Sequence, residues 1–356
     1  MKVQLNPMAR YFANCKRAND TTYESLFRDG IVELRAYGRG TSPGTRQVGT
    51  PVLLVPPVAV NPELYDYHPD NSVVRIRLDQ GVYVYLSSWG DTRFKDRHNT
   101  FTTYFQWVDR AVDCIKARRV VEQVFLAGYC SGGMLSAFYS ALRNNVAKLV
   151  MINTPIDFAP ENSAGHITNL INSWPMYLSA GRLSIVDMPR AMYRYSGRMN
   201  TRMYQLTSPL AVVRGSVKMW RELGDRAATE INVSMAEALQ MKGFPGAIMQ
   251  QLLHFTVNNA IVHGDVEIDG ETIDLSKISV PLLCCAGDSD GMATYNAVTA
   301  ITGMVGSDET EVNLSSGGHV GSVFSTGSVH QTWNKIGSWL AQGSCSSNAP
   351  SERIAA

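Results

Sequence analysis

The sequence predicts an α/β protein: a mostly parallel central sheet flanked by helices, with a helical insertion lying over it. Three observations lead there. Short apolar runs alternate with stretches of helical periodicity up to about residue 156 and again after residue 264, the pattern of βαβ units. From about Asp157 to His263 no strand-like run occurs, while Met, Tyr, Arg and Asn recur at helical spacing. Finally, Gly128-Tyr-Cys-Ser-Gly132 lies between the apolar run Val124 to Ala127 and a helical pattern that resumes after Gly133.

The chain of 356 residues, 45% hydrophobic and 18% charged, suits one large domain with an inserted subdomain. We place an N-terminal segment at 1–50, the core at 51–156 and 264–342, the helical cap insertion at 157–263 and a flexible Ser-, Asn- and Ala-rich tail at 343–356. A net charge of +1 gives no argument for nucleic acid or an anionic membrane as partner. No run approaches the ~18 apolar residues of a membrane span, and Met1 to Tyr11 lacks the apolar stretch of a secretion signal. Six cysteines, at 15, 114, 130, 284, 285 and 345, include no CxxC pair and no Cys/His metal spacing. The expectation is a reduced, cytoplasmic protein without a metal.

Taken in order, residues 1 to about 48 read as a short helix and a hairpin. Pro51 to Pro57 is a strand closed by two prolines, which cannot donate to a sheet ladder. Ser72 to Asp79 is helical, Gly81 turns, and Val82 to Leu86 is a second strand. Phe105, Val108, Val112 and Ile115 set a helix over Phe101 to Arg118. The strand into Cys130 follows, then a helix from Gly133 to Leu142 and a strand from Lys148 to Asn153. After the insertion come strands at Val280–Ala286, with Cys284 and Cys285 as core residues, and at Glu311–Leu314. A helix over Val329 to Leu340 closes the fold.

G-x-C-x-G after a strand and before a helix is a nucleophile elbow with cysteine in the place of serine. Glycines permit the tight turn, which lifts the sulfur to the top of the sheet and turns the Ser131 N–H toward an oxyanion. Beyond the last long strand, Val280–Ala286, stands Gly287-Asp-Ser-Asp-Gly-Met292, and beyond the next strand Ser315-Ser-Gly-Gly-His-Val320. Nucleophile, acid (Asp288 or Asp290) and His319 thus occur in the chain order of an α/β-hydrolase, each at a strand end where such sheets place their sites. Because Pro56 and Pro57 have no N–H, Val58 or Ala59 is the second oxyanion donor. An acyl group on Cys130 is a thioester, which another thioester loads at little cost and an alcohol takes downhill. That suits acyl transfer, and water exclusion by the cap decides between transfer and hydrolysis.

Over roughly Pro51 to Leu340 the sequence resembles the polyhydroxyalkanoate (PHA) synthases. The motifs are Leu53-Leu-Val-Pro-Pro57, Pro69-Asp-Asn-Ser72, Val84-Tyr-Leu-Ser-Ser-Trp89, Gly128-Tyr-Cys-Ser-Gly-Gly133, Asn153-Thr-Pro-Ile-Asp-Phe158, Val280-Pro-Leu-Leu283 and Gly317-Gly-His319. Length and the short N-terminal segment resemble the small-subunit synthases, which act with a second protein. The resemblance implies an α/β-hydrolase fold and polymerisation of (R)-3-hydroxyacyl-CoA, with coenzyme A as part of the substrate and no cofactor. It makes Cys130 the acyl acceptor, His319 its base, Asp290 rather than Asp288 the acid, and Trp89 and Tyr129 neighbours of the substrate.

It also implies a second subunit or a second copy as partner, the growing polyester as ligand, and a place at a polymer surface. Arg182, Arg190, Arg194, Arg198 and Arg202 of the insertion are candidates for the phosphates of coenzyme A. The chain departs from the family where Asp290-Gly-Met-Ala-Thr294 replaces Asp-His-Ile/Leu-Val-Pro, at Ser88, and at Thr100-Phe-Thr-Thr-Tyr104. Two other readings compete: a cysteine hydrolase, either depolymerase or thioesterase, and an idle scaffold that keeps the fold. A glutaminase is set aside because position 321 is glycine where its glutamate would stand.

Overall fold

The computed structural model describes residues 11–12, 14–15, 21–38, 49–159, 194–207 and 209–342. Its centre is an eight-stranded sheet. In chain order it takes β1 (Tyr23–Asp29), β2 (Val32–Tyr37), β3 (Val52–Val55), β4 (Val84–Trp89), β5 (Val124–Tyr129) and β6 (Val146–Ile152). Helices α1 (Val73–Asp79), α2 (Phe101–Arg119) and α3 (Ser131–Leu142) lie between these strands. The spatial order is β1-β2-β4-β3-β5-β6-β11-β12, where β11 is Leu282–Gly287 and β12 is Thr310–Ser315. All neighbours from β4 onward are parallel, and β1–β2 and β2–β4 are antiparallel. The hairpin expected near the N-terminus is therefore the edge of the main sheet.

Strand periodicity sorts the core into two layers. Leu53, Leu126, Leu149, Met151 and Cys284 face one side, where Phe101, Phe105, Val112, Leu135 and Phe138 of α2 and α3 cover them. Leu54, Ala127, Val150, Ile152 and Cys285 face the other, under Val74 and Leu78 of α1 and Trp333 and Ile336 of the closing helix. Adjacent Cys284 and Cys285 thus point to opposite faces, and both are buried. Each such aliphatic or aromatic side chain stabilises the fold by about 1.5–3 kcal/mol on full burial.

Within the insertion, the described residues form a two-residue strand β7 (Arg194–Tyr195), then α4 (Gly197–Thr207), α5 (Pro209–Arg221) and α6 (Arg226–Ala238). A matching strand β8 (Phe244–Pro245) pairs antiparallel with β7, and α7 (Gly246–Val257) follows. The expectation of no strand here is thus corrected by one short ladder. α7 packs into the core: Phe255 meets Phe101 and Phe138, with ring centroids 5.2 and 5.8 Å apart. A small hairpin, β9 (Glu267–Ile268) with β10 (Glu271–Thr272), leads back to β11. Helices α8 (Tyr295–Thr299), α9 (Gly321–Phe324) and α10 (Val329–Ala341) complete the chain. No helix among the described residues is long and apolar enough to cross a membrane.

Candidate active site

Cys130 sits between β5 and α3 with φ 53° and ψ −123°, a region that an L-residue enters only at a cost of about 1–3 kcal/mol. The surroundings hold it there. Its N–H donates to the Ile152 carbonyl at 2.9 Å, and its own carbonyl accepts from Gly133 N at 2.8 Å and Met134 N at 3.2 Å. Two glycines make room. A Cβ on Gly132 would stand 2.6 Å from the Pro56 carbonyl oxygen, and one on Gly133 would run into the Thr154 side chain. The elbow is thereby pressed against the ends of both flanking strands, β3 and β6.

His319 lies in the loop after β12 and Asp290 in the loop after β11. The ring Nδ1 and the Asp290 Oδ2 are 2.8 Å apart, with side chains only 8% and 0% exposed. The other carboxylate oxygen of Asp290 accepts the N–H groups of Met292 (2.8 Å) and Ala293 (3.0 Å), fixing its rotamer. Burial pulls the His319 pKa down. The Asp290 carboxylate bonded to the ring, and then the nearby Cys130 sulfur, outweigh that and raise it to about 10. Imidazole and carboxylate are thus joined by a hydrogen bond, with the Cys130 sulfur as electrostatic neighbour of the ring.

Asp288, the alternative acid, does something else. Its carboxylate accepts the Gly317 N–H at 2.8 Å and the Ser316 hydroxyl at 3.2 Å. These bonds, the Gly317 amide foremost, hold its carboxyl below the ordinary range and tie the acid loop to the histidine loop.

The other expected residues divide. Ser131 opens α3 beside the sulfur, and a first-turn N–H of a helix has no partner within that helix. The Val58 N–H donates to the Ser131 hydroxyl at 3.3 Å, so the proline loop does reach over the elbow, and that hydroxyl stands at the amide meant for an oxyanion. Two expectations are corrected. Trp89 is 0% exposed; its indole N–H donates to the Pro56 carbonyl at 2.9 Å, and its ring packs on Tyr104 and Trp107. It braces the proline loop from the core instead of facing a substrate. Tyr129 is 2% exposed and donates its hydroxyl to the His319 carbonyl at 3.1 Å, with its ring 5.2 Å from the imidazole. It supports the histidine from beneath.

Sequence reasoning missed Asn153. At the end of β6, with φ 44°, its side-chain amide donates to the His319 carbonyl at 2.7 Å and to the Ser322 hydroxyl at 2.8 Å. The available signal was its place in a motif directly after a strand. Arg198 and Arg202 lie exposed on α4, whereas Arg182, Arg190 and the Arg194 side chain lie outside the described residues. Among the described residues no group of three His, Cys, Asp or Glu stands where it would hold a metal ion.

Sheet order, elbow and loop positions define the class: an α/β-hydrolase fold, with a cysteine–histidine–aspartate row at the strand ends. Solved structures agree on the fold. A putative lipase from Sulfolobus solfataricus matches with TM-score 0.52 and 15% identity over 89% of this chain and 99% of its own. The monoacylglycerol lipase of Paleococcus ferrophilus gives 0.50 and 15% over 82% and 95%. No family model matches the chain. By sequence, however, the chain is similar to proteins named poly(3-hydroxyalkanoate) polymerase subunits. It is 26% identical over 334 residues to the polymerase subunit PhaC of Haloferax mediterranei, covering 90% of this chain and 64% of that protein. To the PhaC subunit of Allochromatium vinosum it is 28% identical over 299 residues, covering 82% and 80%.

Proposed function

We propose that the protein is an acyltransferase that polymerises (R)-3-hydroxyacyl-CoA, such as 3-hydroxybutyryl-CoA, into polyester with release of coenzyme A. The observation that carries this reading is the bonded pair His319–Asp290 with Cys130 on the elbow beside it, in a chain whose curated relatives are named as polymerases of this polyester.

The sulfur of Cys130 attacks the thioester carbonyl. Developing negative charge on the carbonyl oxygen is met by the Ser131 N–H and, once the Ser131 hydroxyl turns aside, by the Val58 N–H. Collapse breaks the carbon–sulfur bond to coenzyme A, whose thiolate takes the proton from His319. The 3-hydroxyl of a second acyl unit then attacks the Cys130 thioester and gives its proton to the imidazole, which Asp290 holds in orientation. An ester bond forms and the sulfur leaves. These steps use the chain's own side chains and backbone amides with the coenzyme A thioester. Arg198 and Arg202, with Arg182, Arg190 and Arg194, supply cations for the phosphates of coenzyme A. Two relatives are named as subunits, so a second subunit or a second copy belongs to the working assembly, at the surface of the polymer in the cytoplasm.

The test is purified protein with 3-hydroxybutyryl-CoA, following coenzyme A release and polymer together, wild type beside Cys130→Ala. Polymer formed by the wild type only is the expected result. Free 3-hydroxybutyrate without polymer would sink the synthase reading in favour of a cysteine hydrolase. Failure of hydroxyacyl-CoA to label Cys130 would point to a scaffold.

A further inference from the structure

The loop that brings the Val58 N–H over the elbow is short of donors of its own, because Pro56 and Pro57 have no N–H. Its carbonyls hold it instead. Pro56 accepts the Trp89 indole N–H at 2.9 Å, and Pro57 accepts the Val60 N–H at 3.1 Å in a tight turn. Ala59, 2% exposed, accepts the Lys242 N–H at 2.7 Å. The first bond comes from the core and the second from the loop itself. The third comes from the insertion.

Lys242 is held in turn. The Met241 N–H donates to the Thr201 hydroxyl at 3.1 Å. The Lys242 carbonyl accepts the Asn200 side-chain amide at 2.9 Å, and the Gly243 N–H donates to the Asp91 carboxylate at 2.6 Å. The peptide units on both sides of the Lys242 N–H are therefore fixed, and that N–H is aimed at Ala59. Asn200 and Thr201 belong to α4, which lies close against this segment: a Cβ on Gly197 would run into the Met241 carbonyl. Asn200 is buried, although Arg198 and Arg202 of the same helix are exposed. A buried amide is costly unless it is bonded, and the Lys242 carbonyl is the partner that offsets the cost.

We propose that Asn200 is a positioning residue for acylation: through the Lys242 backbone it holds the Pro56–Ala59 loop where the Val58 N–H serves the oxyanion. This rests on reading Cys130 as the acyl-accepting nucleophile with Val58 as a donor to the carbonyl oxygen. Oxyanion donors work because they are fixed before the charge develops. Without the Asn200 amide the Lys242 backbone is held from one side fewer, the Ala59 carbonyl loses a fixed partner, and Val58, one residue away, loses its aim. The imidazole and carboxylate beside the sulfur come from the loops after β12 and β11, so the reactivity of the thiol itself does not pass through this loop. Loss of Asn200 therefore weakens reactions that go through an oxyanion and spares those that do not.

The experiment compares two reactions of Cys130 in the full chain. Acylation by p-nitrophenyl (R)-3-hydroxybutyrate passes through an oxyanion, whereas alkylation by iodoacetamide displaces iodide at a saturated carbon and forms none. Both rates are read at Cys130 by peptide mass, with Cys130→Ala as the blank, so their ratio cancels changes in the thiol. Removing an oxyanion donor outright costs about 10²–10³ in rate, and a loosened one forfeits part of that. Asn200→Asp, which keeps the size and loses the donor, is expected to lower the ratio of acylation to alkylation by about tenfold or more. Thr201→Val, which removes the bond to Met241, is expected to shift it in the same direction. A ratio within about twofold of wild type in Asn200→Asp overturns the proposal; if that variant does not melt cooperatively, the same result in Thr201→Val does so. If the ratio falls as expected but 3-hydroxybutyryl-CoA yields no polymer in the wild type, the proposal stands and polyester synthesis falls. Acylation of wild-type Cys130 by neither the ester nor 3-hydroxybutyryl-CoA overturns both.

Discussion

The side-chain amide of Asn153 donates to the backbone carbonyl of His319 at 2.7 Å, across 166 residues of sequence. Asn153 is itself locked: its N–H donates to the Cys285 carbonyl at 2.8 Å, and φ 44° is a conformation that asparagine tolerates better than most residues. The amide and the Tyr129 hydroxyl meet the same carbonyl, so the histidine loop hangs from the ends of β5 and β6. Asn153→Ala frees that loop and leaves Ser322 short of a partner. We expect kcat to fall by about tenfold or more with little change in KM, and stability to fall by about 1–2 kcal/mol. Steady-state kinetics beside urea unfolding separates the two. A loss of stability with kcat unchanged would mean that the carbonyl contact does not position the ring.

His319 links stability to pH. Its pKa is about 10 in the folded chain against an ordinary 6.5; burial opposes this, and Asp290 and then Cys130 drive it. Below about 6.5 the ring is protonated folded and unfolded, and the full stabilisation is present. As pH rises toward 10 only the folded form keeps the proton, so stability declines, and above 10 the contribution is gone. Asp290→Asn removes the carboxylate that drives the shift. Urea midpoints at pH 6 and pH 10 should fall more in the wild type than in Asp290→Asn. An equal fall in both proteins would place the pH dependence elsewhere.

Arg77 is buried without compensation. It is 0% exposed, and none of its three guanidinium nitrogens has a partner among the described residues. Burial alone lowers its pKa to about 10. The guanidinium lies over Gly337 of α10, where a Cβ would collide with it. An unpaired buried charge destabilises by several kcal/mol before relaxation, whereas methionine fills the same space with no polar group to desolvate. Arg77→Met is therefore expected to raise stability by about 1–3 kcal/mol, read as a higher urea midpoint at unchanged m-value. A lower midpoint would show that the guanidinium has a partner in solution.

Much of this architecture was legible beforehand because it depends on local pattern. Short continuous apolar runs marked the parallel strands, and the order Cys130, Asp290, His319 marked the row. Glycine at 132 and 133 was visible as turn chemistry, although its closer cause, contact with Pro56 and Thr154, needs coordinates. What could not be read was direction. Trp89 and Tyr129 each end a strand at the level of the site, and the sequence does not say that their polar atoms turn to Pro56 and to His319. Helical spacing in α7 reads alike whether the helix caps a site or fills the core, as Phe255 does. Asp288 and Asp290 lie two residues apart in one loop, and their spacing does not say which of them reaches the imidazole.

Strain at the elbow gives the last prediction. Cys130 holds φ 53° and ψ −123°, where a side chain is strained and glycine is not. In an ordinary helix or strand, replacing alanine by glycine destabilises by roughly 0.5–1 kcal/mol. Here the order should invert. Both Cys130→Ala and Cys130→Gly lose the thiol and hence acylation, so their difference reports the backbone alone. Cys130→Gly should be the more stable by about 1 kcal/mol, a shift of about 1–2 °C in Tm for a chain of this size. Calorimetry on the two variants at one pH, near 6, keeps His319 protonated in both. If Cys130→Ala melts higher, the turn is relaxed in solution, and the sulfur is held up by the contacts of Gly132 and Gly133 without stored strain.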